Sequence, residues 1–201
     1  MPQILLVVFY ITLNHVAAIY NKPQLQALAL GLLVAAILWQ GLVKTNKIVW
    51  LSFIGIGVVL AGFAFLGLSK YIAFLPPIVI PLIIAIVFIH SLTKNNVPLV
   101  TDIGEKARGP LSEEMRHYTR GVTTLWAYVL VAMALWSMVL PLTHSMLLWS
   151  IVTNFLNYLL IGALFVGEFV YRQYRFPDHN HPKLGDYIKI VTSAMRQRKN
   201  G

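Results

Sequence analysis

Six blocks of mostly apolar residues follow one another along the chain: Gln3–Tyr20, Leu25–Val43, Ile48–Leu68, Ile72–Leu92, Val122–Leu142 and Met146–Tyr171. A helix of about 20 residues, rising about 1.5 Å per residue, crosses the ~30 Å hydrocarbon core of a bilayer. Each block has that length, so the pattern predicts an all-α integral membrane protein with about six transmembrane helices. The connections are short except for 93–121, a polar loop, and 172–201, a basic tail. Nothing in the pattern marks off a soluble domain, and 1–201 reads as a single membrane domain. The apolar run from Ile4 to Ile11 lacks a cationic start and continues past Asn14 and His15. It is therefore expected to be a retained first helix rather than a cleaved signal.

Composition sharpens this picture. Hydrophobic residues make up 58% of the 201 residues and charged residues only 11%, against about 45–50% and about 25% in soluble domains. The mean hydropathy is +0.71. There is no cysteine, which excludes disulfides, thiolate metal sites and cysteine nucleophiles. The net charge of +9 is distributed unevenly. With the N-terminus placed inside, Lys44, Lys47, Lys94, Lys106, Arg108, Arg116 and Arg120 fall on the cytoplasmic side together with every cation of the tail. Only Lys22 and Lys70 fall outside. This bias predicts that both ends are cytoplasmic, and it accounts for the charge without a nucleic-acid partner.

Finer features predict departures from six plain rods. Pro76, Pro77 and Pro81 should kink the fourth span or delay its start, because proline removes a backbone donor and clashes with the preceding turn. Ser112 followed by Glu113 and Glu114 has the form of a helix start. It predicts a short cytoplasmic helix leading into the fifth span. In the tail, Leu184, Tyr187, Ile188, Val191 and Met195 recur at helical spacing among cations. They predict an amphipathic C-terminal helix suited to an anionic inner leaflet.

Polar residues inside an apolar block are the first candidates for function, since lipid penalises them. On the outer side Asn14, His15, His144, Asn154 and Asn157 form one candidate cluster, with Asn154 and Asn157 on one helical face. Interhelical hydrogen bonding is the simpler role for it and a ligand site the sharper one. On the inner side Arg116, Arg120, Glu168 and Arg172 form a candidate site for an anionic group or partner. Asp178, His179 and His181 are weak metal-ligand candidates without an obvious fourth ligand. No metal or cofactor is expected, and no serine elbow, phosphate loop, zinc-protease helix or dinucleotide fingerprint is present. Catalytic residues are not legible, and the reading leans away from an enzyme.

Two stretches carry a resemblance. They are Arg116-His117-Tyr118-Thr119-Arg120-Gly121-Val122-Thr123-Thr124-Leu125-Trp126 and Gly162-Ala163-Leu164-Phe165-Val166-Gly167-Glu168-Phe169-Val170-Tyr171-Arg172. Together they resemble an uncharacterised family of small bacterial inner-membrane proteins encoded with aryl-polyene and fatty-acid-type biosynthesis genes. The architecture is also distantly similar to septation protein A. The resemblance implies a multi-pass protein of the bacterial inner membrane, an accessory or scaffold of envelope lipid or polyene assembly. Its expected partners are membrane lipids and acidic cytoplasmic proteins such as an acyl carrier protein. The alternatives are a small lipid or metabolite transporter or flippase, and a membrane enzyme acting on an acyl or phospho-lipid at the inner interface.

Overall fold

The computed structural model describes residues 2–143 and 145–177. These residues are helical without a strand, and six helices are long and apolar enough to cross a membrane. The chain is thus an all-α multi-pass membrane protein, as the block pattern predicts. It divides into two compact units, residues 2–79 with 135–158 and residues 80–134 with 159–177.

The first unit begins with α1 (Pro2–Ile19), α2 (Pro23–Val43) and α3 (Lys47–Phe65). All three end in the same way. Asn21, Thr45 and Gly67 take positive φ, and the next amide reaches back five residues, as in Lys22 to the Ala17 carbonyl and Leu68 to the Phe63 carbonyl. Such left-handed caps satisfy carbonyls that lipid could not. Pro23 occupies the first turn of α2, where its missing amide costs nothing. Asn46 starts α3 by accepting from the Ile48 and Val49 amides.

Small residues let these helices approach: Ala18, Ala29 and Ala73 are buried in one cluster with Tyr10, Leu30 and Trp149. At Gly41 the approach is closest. A Cβ there would lie 2.5 Å from Val49 Cγ2. Gly41→Ala is therefore expected to cost about 1–3 kcal/mol through overpacking, more than the ~1 kcal/mol that alanine gains in helix propensity. Adding Val49→Ala should recover most of the loss. Thermal unfolding of the two variants in detergent checks this, and an unaltered Gly41→Ala midpoint would refute it. By contrast α3 buries only Leu60 and Ala64. Its remaining apolar surface suits lipid.

The proline expectation is met by a late start. A short α4 (Ser69–Ala73) stops at Phe74, and α5 (Pro76–Ser91) begins on Pro76 with Pro81 inside it. The loop expectation is refined. Ser112 does cap a helix, its hydroxyl accepting from the Met115 amide at 3.3 Å. That helix runs unbroken through Gly121 as α7 (Glu113–Val139). At ~1.5 Å per residue it outreaches the ~30 Å hydrocarbon core. The separate short helix lies upstream as α6 (Leu99–Arg108). It docks on α7 through Thr101 and Thr119, whose hydroxyls lie 2.7 Å apart, and through the Val100 amide on Thr123. Gly104 admits Leu111, whose methyl would lie 3.0 Å from a Cβ there.

The last span comprises α8 (Met146–Ile151), a π-helical turn (Val152–Leu156) and α9 (Asn157–Arg175). The tail residues expected to form the amphipathic helix lie outside the described residues.

Candidate functional site

In the second unit α7 and α9 border an apolar groove of about 550 Å³ lined by His117, Tyr118, Gly121, Val122, Leu125, Ala163, Leu164, Gly167, Glu168 and Tyr171. Its width comes from missing side chains. Cβ atoms on Gly121 or Gly167 would meet nothing within 4 Å. A second cleft of about 230 Å³ lies among Ile84, Phe88, Leu99, Trp126, Leu130, Phe165 and again Val122 and Glu168. Glu168 and Val122 therefore line both cavities.

Among the described residues Glu168 brings the one carboxyl group to this lining. Its Oε1 lies 3.6 Å from Arg172 Nε on the next turn of α9, with side chains only 8% and 7% exposed. The Tyr118 hydroxyl donates to the same oxygen at 3.4 Å. Tyr118 in turn stacks on Tyr171, centroids 5.9 Å apart, and meets Phe176 edge-on at 5.3 Å. One wall of an apolar groove thus carries a phenol and a carboxylate, with a guanidinium buried against the latter. Acid and base in such a place are compatible with lipid only when they pair closely.

Of the four inner-side candidates the structure brings together Glu168 and Arg172. The side chain of Arg116 instead pairs with Glu105 of α6 at 2.5 Å. Arg120 donates to the Leu92 carbonyl at 3.2 Å. Farther along, Arg175 pairs with Glu114, tying α9 to α7, and Lys106 pairs with Asp102. Each like-charged arginine of α7 has its own partner, so no anion is needed between them. Tyr118 is the residue that sequence reasoning left out of the site. Nothing in the chain links it to a carboxylate fifty positions on.

Of the outer-side candidates, Asn14, His15, Asn154 and Asn157 fall in the first unit. Asn14 donates to Asn154 Oδ1 at 3.3 Å, Asn154 donates to Ser150 Oγ at 2.9 Å, and Ser150 Oγ lies 2.8 Å from His15 Nδ1. Asn157 does not join them. It accepts from the Trp136 indole at 2.9 Å. The π turn is the reason, because its wider winding rotates Asn157 off the face that Asn154 occupies, and the Asn157 amide reaches the Val152 carbonyl five residues back. Alanine replacements of Asn14 and Asn154 are expected to show a coupling of about 0.6 kcal/mol in a double-mutant cycle, the usual size for interhelical bonds in lipid. Strictly additive losses would mean that the two amides do not interact.

His144 and the metal candidates Asp178, His179 and His181 lie outside the described residues. Among the described residues no group of three histidines or acids is placed to hold a metal. Comparisons with known protein families, with curated proteins and with solved structures find no match to this chain. Class is therefore defined by the fold: a six-span helical membrane protein with an apolar groove and a buried acid–base pair at its wall.

Proposed function

We propose that the protein is an accessory component of envelope lipid or polyene assembly in the bacterial inner membrane, holding an acyl-bearing amphiphile in the α7–α9 groove. The observation that carries this reading is the polar station of Tyr118, Glu168 and Arg172 at the wall of a largely apolar groove. An aliphatic chain fills such a lining at ~0.8 kcal/mol per buried methylene, while a polar head meets the station. With both ends cytoplasmic, as the cation bias supports, the station lies toward the inner face. The cations of the loop and tail then face the side from which an acidic acyl carrier protein would deliver or collect the chain. No reaction is assigned to the site.

Mild-detergent purification from the native host, followed by mass spectrometry of bound molecules, tests the proposal. The wild-type protein is expected to retain an acyl-bearing molecule. Gly167→Leu, which fills the groove where a side chain meets no neighbour, should lose it and remain folded. Equal retention by both proteins would remove the groove from the account.

A further inference from the structure

The groove and the cleft lie side by side, and the helical repeat shows what parts them. On α7 the groove includes Tyr118, Gly121, Val122 and Leu125, a stripe at i, i+3, i+4 and i+7. The cleft includes Val122, Trp126 and Leu130, the neighbouring stripe at i, i+4 and i+8. On α9 the groove takes Leu164, Gly167, Glu168 and Tyr171, and the cleft takes Ile161, Phe165 and Glu168. Each pair of stripes shares a single residue. Val122 and Glu168 therefore form a ridge from which two apolar troughs run in the same direction along the helices.

The cleft, about 230 Å³, is bordered by α5, α6, α7 and α9, and Glu168 is the only charged residue in its lining. A cavity so lined favours apolar atoms over water. A chain within it supplies contact partners to walls that otherwise have none. The groove, about 550 Å³, has room for a second chain. A single-chain amphiphile fills one trough. A ligand with two chains on one head fills both, its head lying where the troughs meet beside Tyr118 and Glu168.

We infer that the ligand is a two-chain lipid drawn from the bilayer, with one chain in the groove, the other in the cleft and the ridge of Val122 and Glu168 between them. This rests on the reading of the groove as an acyl site and names the ligand class within it. The reaction that supplies such a ligand is one that has already joined two chains to one head.

The test is native mass spectrometry of the full-length protein in digitonin, which carries no flexible chain. Dilauroylglycerol and lauroyl monoglyceride are the competing probes, uncharged hydroxyl-bearing glycerides that differ chiefly in the second chain. The wild-type protein is expected to bind one dilauroylglycerol at least about tenfold tighter than lauroyl monoglyceride, a modest share of what filling an apolar cavity of that size returns. Ile84→Trp narrows the cleft from a position that is 39% exposed, where added bulk disturbs the fold least. Ile103→Phe narrows it from α6. Each should bring the two probes within a few-fold of each other, with monoglyceride binding as in the wild type.

Three results would overturn the inference: equal affinity of the wild-type protein for the two probes, two monoglycerides bound as tightly as one dilauroylglycerol, or a preference that survives in both cleft variants. The wild-type comparison decides the matter even where a variant fails to fold. Failure of both probes to bind the wild-type protein would instead overturn the acyl-site reading beneath it.

Discussion

Replacing Glu168 alone with alanine is expected to destabilise the folded protein by about 3–5 kcal/mol, the cost of breaking a buried ion pair by removing one member. The two side chains are almost wholly withdrawn from solvent, so screening gives little relief. The phenol of Tyr118 would lose its acceptor at the same time. Arg172→Ala should be comparably harmful, because it breaks the same buried pair. Replacing both together by leucine is expected to cost much less, since apolar residues of similar volume often substitute for a buried pair with little loss. Reversible unfolding in mixed micelles measures all three. If each single change cost less than about 1 kcal/mol, the typical figure for an exposed pair, the pair would have to be solvated in the membrane protein.

Trp149→Ala is expected to produce a loss of similar size in the first unit, about 3–5 kcal/mol. Trp149 is fully buried and belongs to the core cluster with Tyr10, Ala18, Ala29, Leu30, Leu60 and Ala73. Its ring meets Phe74, just before α5 begins, at 5.0 Å between centroids. Removing the indole opens a cavity among alanines that are too small to collapse into it. Trp149→Phe discriminates between volume and hydrogen bonding. The indole N–H has no partner among the described residues, so phenylalanine forfeits only some volume and should cost less than about 1.5 kcal/mol. Equal losses for phenylalanine and alanine would show that the indole nitrogen contributes a bond of its own.

The spans were legible because lipid imposes one coarse rule, a sustained apolar block of the right length, and the chain obeys it six times. Proline chemistry likewise signalled a kink or a late start in the fourth span, and α5 begins at Pro76. Helix α6 was not legible. It is ten residues long, contains Gly104, and draws its stability from threonine contacts with α7 rather than from its own propensity. The π turn was also hidden, and it changed the site. In a regular helix Asn154 and Asn157 share a face, whereas here they serve different partners. On the inner side Glu168 and Arg172 lie four residues apart on one helix, so their pairing is of the kind that spacing alone can show. Spacing had no means of sending Arg116 to Glu105 or Tyr118 to Glu168, because those choices depend on how α6, α7 and α9 pack.

The central claim is that an acyl chain lies between α7 and α9. Photocrosslinking with a diazirine-bearing lauroyl monoglyceride, followed by peptide mapping, tests it most directly. The account predicts adducts concentrated on Val122, Leu125, Ala163 and Leu164, and suppressed by Gly167→Leu. Adducts spread along the lipid-facing residues of α3, or groove adducts indifferent to Gly167→Leu, would contradict it.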